Sequence, residues 1–365
     1  MKVPLSSPLK NYLSHKSLVD SSIERALQSG DYILGREIED LEKEFSEFLG
    51  VKDVVAVASG TDALALSLRS LDVSRGDEVI TVSHSAVAVV SAIEQVGATP
   101  VLVDIENDFY TIDFARVSQM TTAKTAAVIA VHLYGQAVDM FSALKYQSET
   151  GIPVIEDCSQ AHGATWQGQR LGSFGILSAF SCYPTKNLGA FGDAGLIATQ
   201  DAELGLRLRR LRQYGWREKQ HSLEPGVNSR MDEIQAAILR VQLRTLDLRN
   251  ARRREIAETY LEALAELPIE IGSTRDNCEP VYHLFVCELQ NRDKFRLHLA
   301  ECGVQTGIHY PVPIHLQTAY LGRLKQGLLE RTEAVSKNVV SLPMFPELSD
   351  SDVAFVVDAI RRFYE

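Results

Sequence analysis

Three short stretches of this chain carry residue types that could do chemistry together. The first is Ser59-Gly60-Thr61-Asp62, after the apolar run 54–58 and before a helical segment. Small residues let the backbone approach a ligand, and the first N–H groups of a helix are free to bind an anion. The competing reading is that Ser59 or Thr61 only caps the helix. The second is Ile155-Glu156-Asp157-Cys158-Ser159-Gln160-Ala161-His162-Gly163. Asp157 stands at the carboxyl end of an apolar run, where open α/β sheets place their ligands. A carboxylate there is costly to bury unless a cation or a strong donor meets it, so a solvated strand end or a helix cap is the alternative. The third is FSCYPTKNLG over 180–189, in which Lys186 follows another apolar run and sits among small residues. An amine held there can have a depressed pKa and attack carbonyls; a solvated loop lysine is the plain alternative.

Taken together, the three meet the needs of pyridoxal 5′-phosphate (PLP). Its aldehyde takes a lysine as a Schiff base, its ring nitrogen needs a carboxylate to stay protonated, and its phosphate needs a helix N-terminus with hydroxyls. Here the lysine follows the aspartate by 29 positions, 157 to 186. No GxGxxG and no GxxxxGK[ST] occurs, so neither a dinucleotide nor a Walker-type site is signalled.

The elements that must position these residues are legible as patterns. Continuous Val/Ile/Ala runs at 54–58, 78–82, 99–105, 126–131, 152–157, 176–182 and 195–199 suit strands buried on both faces of a parallel sheet. Helical segments at 62–71, 86–96 and 140–150 separate several of them, which predicts an α/β unit with right-handed crossovers. Ahead of it, residues 1 to about 35 read as an irregular lead-in, followed by an amphipathic helix over 37–49. Residues 233–264 read as a long helical stretch, then a strand at 283–289, a helix at 292–302 and a terminal helix at 350–363. This predicts a large α/β domain over 1–240 and a smaller α+β domain over 241–365.

The 365 residues carry 37 Lys+Arg against 48 Asp+Glu, a formal charge of −11, which argues against a nucleic-acid or anionic-membrane binder. Any anionic ligand must be held locally. Arg207, Arg209, Arg210, Arg212, Arg217 and Lys219, and again Arg252, Arg253 and Arg254, read as solvated helix faces or intersubunit ion pairs. The other reading has Lys219 or a neighbour meeting a diphosphate. Five cysteines without CxxC or zinc spacing fit free thiols, no metal site is signalled, and His132, His162 and His315 read as structural. The start of the chain lacks an apolar targeting region and no stretch approaches about 18 apolar residues, so a cytoplasmic location is expected.

The ordered motifs SGTDALALSL (59–68), GDEVITVSHS (76–85), PVIEDCSQAHGA (153–164), SCYPTKNLGAFGDAG (181–195), GVNSRMDEIQAAILR (226–240) and GIHYPVPIHLQ (307–317) carry a resemblance. The chain resembles the DegT/DnrJ/EryC1/StrS family of PLP-dependent nucleotide-sugar aminotransferases, a branch of the fold-type I, aspartate aminotransferase-like enzymes. The resemblance implies a mostly parallel seven-stranded sheet in the large domain and a homodimer with shared active sites. It makes Lys186 the Schiff-base lysine and proton shuttle, Asp157 the partner of the ring nitrogen, and Gln160 a neighbour of the ring hydroxyl. Gly60, Thr61 and Ser181 would hold the phosphate, joined by Asn228 from the partner subunit. Tyr183, Tyr214, Lys219, His309 and Tyr310 would line the sugar and diphosphate pocket.

Two departures accompany it. Many relatives have an aromatic residue after the S-H-T of the ring-stacking segment, whereas this chain reads Ser83-His84-Ser85-Ala86. Ala86 cannot stack, which leaves His84, or nothing aromatic, for the ring face. Relatives also often read SFYPGK where this chain has SCYPTK. Members that became dehydratases carry His in place of the lysine; this chain keeps Lys186. The resemblance therefore implies amino transfer from L-glutamate to a keto nucleotide sugar, closest in wording to enzymes acting at C-3 of a dTDP-3-keto-6-deoxyhexose. A C-4 aminotransferase is the alternative, and a non-catalytic PLP-binding regulator a more distant one.

Overall fold

Burial of the apolar runs, helix by helix, builds the larger part of the molecule. The computed structural model describes residues 2–365. Seven strands form a sheet in the order β1 (Asp53–Val57), β7 (Gly195–Thr199), β6 (Leu177–Ser181), β5 (Val154–Asp157), β4 (Thr125–Val131), β2 (Glu78–Val82), β3 (Thr99–Val103). Only β7 runs against the others. The expected mostly parallel sheet is present, and the pair Lys325–Gln326 adds a short eighth strand beside β3. Sequence could not announce that strand, because two polar residues carry no periodicity.

The helices begin where side chains satisfy their free N–H groups. Ser59 caps α4 (Gly60–Ser70) by accepting from Asp62 N, Asp139 caps α7 (Met140–Thr150), and Asp201 caps α8 (Ala202–Leu211). The helix α3 (Arg36–Leu49) starts at Gly35, which has no side chain to offer. Glu233, 198 positions later, supplies the cap: its carboxylate accepts from Gly35 N at 2.7 Å, Glu37 N at 2.9 Å and Ile38 N at 3.4 Å.

Two sequence expectations change. The lead-in is helical rather than irregular: α1 (Pro8–Ser14) is capped by Ser7 with Pro8 in its first turn, and α2 (Lys16–Ser29) follows. The buried stripe of α2 is Val19, Ser22 and Ala26, too weakly apolar to be read, and it packs on α9 (Glu233–Leu243). The long stretch over 233–264 is broken at Arg244–Thr245 into α9 and α10 (Leu246–Leu264). At the break Thr245 bonds back to the carbonyl of Gln242 through its amide, 3.2 Å, and its hydroxyl, 3.3 Å.

Two apolar clusters result. One surrounds the large sheet and takes in Leu246, Val281, Ile314 and Val335 from later in the chain. The other joins Val3, Ile256, Tyr260, Phe285, Phe295 and Ile360, around β8 (Phe285–Glu288), β9 (Val339–Leu342) and the helices α10, α11 (Arg292–Glu301) and α13 (Asp350–Tyr364). Asp104, just past β3, fixes the start of α12 (Glu330–Asn338) by accepting from Arg331 N, Thr332 N and Thr332 Oγ1. Among the described residues, no helix is long and apolar enough to cross a membrane.

The distant cap has a measurable consequence. Glu233→Ala strands three buried or half-buried N–H groups, so it should lower unfolding free energy by about 1–3 kcal/mol. Urea unfolding should show a lower midpoint with an unchanged slope; an unchanged midpoint would refute the cap.

Candidate active site

The parallel register sets neighbouring strand ends side by side. Val131 ends β4 directly opposite Asp157 at the end of β5, and Ser181 ends β6 opposite Gly195. Beyond this edge lies a cavity of roughly 270 Å³ whose wall includes Gly60, Thr61, Asp157, Gln160, Ser181 and Lys186. Sequence positions spread over more than a hundred residues thus meet in one place, with Tyr183 at the rim.

Each polar group is left with capacity to bind. Ser59 spends its hydroxyl on the α4 cap, as the plain reading had it. That leaves the N–H groups of Gly60 and Thr61, at the positive end of the helix, without intrahelical partners. The closeness depends on two glycines. A Cβ on Gly60 would stand 2.5 Å from Ser181 Cβ, and one on Gly195 would stand 2.3 Å from the Ser59 carbonyl oxygen. Asp157 is buried and accepts from Ser159 N at 3.0 Å through one oxygen. Its other oxygen has no hydrogen-bond partner among the described residues. Gln160 is oriented: its Oε1 accepts from Tyr134 N at 2.8 Å, and its Nε2 donates to Tyr310 Oη at 3.0 Å.

Lys186 occupies a tight turn in which Cys182 O accepts from Ala190 N, and Tyr183 O from Lys186 N, both at 2.8 Å. Its amine makes no hydrogen bond or ion pair among the described residues. Enclosure by protein lowers its pKa from 10.5 to about 8, against the opposing pull of the Asp157 carboxylate. A far larger share of the amine is therefore unprotonated near neutrality than in a solvated lysine, and able to attack a carbonyl.

Other expected residues fall elsewhere. His84 does not line the cavity. It is fully buried behind it, its Nε2 2.6 Å from Tyr134 Oη, and burial lowers its pKa to about 3, so it is neutral. Ala86 and Val131 supply apolar surface instead, and no aromatic ring except the rim's Tyr183 lines the cavity. His309 and Tyr310 approach from one side, where Tyr134 Oη donates to the His309 carbonyl and His309 Nδ1 lies 2.8 Å from Ser341 Oγ. Asn228, Tyr214 and Lys219 are exposed and do not line this cavity. Asn228 borders a separate depression with Asp62 and Arg69, while Tyr214 packs on Trp216 beside the hairpin that carries Lys219. Val131 and Asp193 line the cavity without having been singled out; the apolar end of β4, adjacent in register to Asp157, was the available signal.

The arginine clusters also resolve. Arg207, Arg209 and Arg212 pair within the chain, with Asp72 and Glu224, with Asp53 and Glu42, and with Glu42. Arg253 is not on a solvated face but 4% exposed. His132 is paired with Glu156 at 3.0 Å, and Glu156 also accepts from Gly172, Phe174 and Gly175, which anchors the loop beneath β5.

The donor set fits PLP: free helix amides and a hydroxyl for a phosphate, an open carboxylate for a ring nitrogen, and an uncompensated amine for an aldehyde. Comparison with known proteins agrees. Residues 15–361 match the DegT/DnrJ/EryC1/StrS aminotransferase family. The chain is 43% identical over 366 residues, all of this chain and 97% of the other, to a dTDP-3-amino-3,4,6-trideoxy-alpha-D-glucose transaminase of Streptomyces venezuelae. It is 45% identical, over 96% of each, to a dTDP-3-amino-3,6-dideoxy-alpha-D-galactopyranose transaminase of Aneurinibacillus thermoaerophilus. The crystal structure of S. venezuelae DesV in complex with a ketimine intermediate superposes with a TM-score of 0.97 at 43% identity, covering 100% of this chain and 99% of that one. PLP is the cofactor.

Two outcomes test this geometry. Gly60→Ala should weaken cofactor binding at least about tenfold, because its methyl group pushes Ser181 and the helix amides apart; equilibrium dialysis measures it, and unchanged affinity would count against the cradle. In cofactor-free protein the reactive species of Lys186 is the unprotonated amine. Its rate of capture of an aromatic aldehyde, trapped with borohydride, should rise with pH and level off above about 8. A rise continuing towards 10.5 would show a solvated lysine.

Proposed function

The chain belongs to the DegT/DnrJ/EryC1/StrS aminotransferase family, and from that premise we propose that it moves an amino group from L-glutamate to C-3 of a dTDP-linked 3-keto-6-deoxyhexose. It is a PLP-dependent nucleotide-sugar aminotransferase. The observation that carries the reading is the unpartnered amine of Lys186 beside the same cavity as the open carboxylate of Asp157 and the free amides of α4. The C-3 position is supported by the two relatives named for 3-amino sugars.

When bound, PLP supplies an electron sink for a substrate carbon that loses a proton. The chain's own residues do the rest. Gly60 N–H, Thr61 N–H and Ser181 Oγ would hold the phosphate, and Asn228 of the partner subunit would complete that cradle. Asp157 would pair with the ring nitrogen, and Gln160, fixed through Tyr134, would lie near the ring hydroxyl. Lys186 would bond the aldehyde, and its amine, once free, would carry the proton to and from the reacting carbon of donor and keto sugar. Tyr183, His309 and Tyr310 border the sugar, and Tyr214 and Lys219 reach its diphosphate from across a dimer. Retention of a reactive lysine argues against a purely regulatory role.

The visible spectrum tests this. Wild-type protein with PLP should show a Lys186-dependent band that L-glutamate converts to the pyridoxamine form and a dTDP-3-keto sugar restores. Lys186→Ala should show neither change while staying folded. A wild-type spectrum indifferent to glutamate would overturn the donor, and restoration by 4-keto but not 3-keto sugars would overturn the position.

A further inference from the structure

The cofactor cavity offers a planar ring no flat side chain to lie on. Its apolar wall is Leu64, Ala86, Ala88, Val89, Val131 and Ala194, all aliphatic. Tyr183 stands at the rim and is exposed, while His84, Tyr110, Tyr134 and Tyr310 pack on one another and do not line the cavity. The segment that carries Ala86 is fixed in this arrangement. Ser83 O accepts from Ile314 N at 3.2 Å, Ser83 Oγ accepts from His315 N at 3.2 Å, and His84 Nε2 lies 2.6 Å from Tyr134 Oη. His84 therefore supplies no ring to the cavity while that bond stands. Ala86 itself is only partly buried and lines the cavity, so one side chain decides whether an aromatic surface is present.

That surface matters at one stage of the amino-transfer reading, on which this step rests. While PLP is joined to Lys186 through its aldehyde, a covalent bond retains it whatever the wall is made of. Once the donor's amine has been transferred, that bond is gone. The pyridoxamine form then depends on the α4 amides, Ser181 and Asp157, and on contact between its ring and the wall. An aromatic partner holds a planar ring about tenfold more tightly than an aliphatic one.

We propose that the aliphatic seat around Ala86 lets the cofactor leave in its pyridoxamine form, which gives the protein a second, sugar-independent reaction. In it an amino acid and free PLP yield a 2-oxo acid and free pyridoxamine phosphate. The donor's carbon–nitrogen bond breaks and the nitrogen ends on the former aldehyde carbon. The donor carbon gains its oxygen from water, and water carries off the aldehyde oxygen. The electron pair lost by the donor carbon reduces the aldehyde carbon, and Lys186 carries the proton between them, so no further reactant is needed. Fresh PLP then enters and the cycle repeats.

Equilibrium dialysis of the full chain against pyridoxamine phosphate, and separately against PLP, tests the hold without any turnover. Wild type should bind pyridoxamine phosphate at least about tenfold more weakly than PLP, and Ala86→Phe should bind it about tenfold more tightly than wild type. Ala86→Leu, which fills space without a ring, should gain less than about threefold. With excess PLP and L-glutamate but no keto sugar, wild type should keep producing 2-oxoglutarate well beyond one equivalent per site. Ala86→Phe should slow that production, and Lys186→Ala should show none above the uncatalysed rate. Wild type that holds pyridoxamine phosphate as tightly as PLP, production that stops at one equivalent, or a folded Ala86→Phe with unchanged affinity would overturn the proposal. So would an equal gain for Ala86→Leu. Should Ala86→Phe not fold, Ala86→His brings a smaller ring to the same place and decides in its stead. The aminotransferase reading fails on a different observation, a wild-type spectrum indifferent to L-glutamate. A spectrum that changes while pyridoxamine phosphate stays bound sinks this proposal alone.

Discussion

An amine that must lose its proton more readily than a solvated lysine has to be kept from water and from strong ion pairs, and the structure is organised around that requirement at Lys186. Burial lowers its pKa to about 8, while the Asp157 carboxylate across the cavity pulls the other way without contacting it. Closer contact would hold the lysine protonated and use up the carboxylate; greater distance would leave the cavity without a cation partner for a bound ring. The turn from Cys182 to Ala190, closed by a backbone bond at 2.8 Å, fixes this separation.

The parallel sheet makes the arrangement possible. In a parallel array all carboxyl ends face one way, so the ends of β4, β5 and β6 and the amino end of α4 converge on a single edge. The one reversed strand, β7, contributes Gly195, whose missing side chain lets the Ser59 carbonyl and the α4 amides settle against β6. An electropositive helix end and an open carboxylate then line one small cavity.

The rest of the chain holds that edge from a distance. Gln160 is pinned between Tyr134 N and Tyr310 Oη, which links the strand-end loop to residues 150 positions later. His84 is neutral and buried, and it supports Tyr134 from behind, while Ser85 and Ala86 of the same segment line the cavity. Asp104 and Glu233 cap helices remote in sequence, and Arg253 on α10 gathers the carbonyls of Tyr282, His283 and Met344.

The amino-acid sequence by itself determined the strand and helix pattern of the sheet, because uninterrupted Val/Ile runs have few ways to be buried, and it marked Gly60, Asp157 and Lys186 by their places after those runs. It was silent where local signal is weak: the Ser- and Ala-lined stripe of α2, the break at Thr245, and the two-residue edge strand at Lys325–Gln326. Only the tertiary structure decided what each polar group has left to give. Nothing local tells His84, sequestered by Tyr134, from Gln160, which faces the cavity, or Arg252, paired at the surface, from Arg253, one residue on and buried without a carboxylate. Hydrogen-bond capacity is exhausted by partners that are near in space and distant along the chain, so it is a property of the fold rather than of any stretch of sequence.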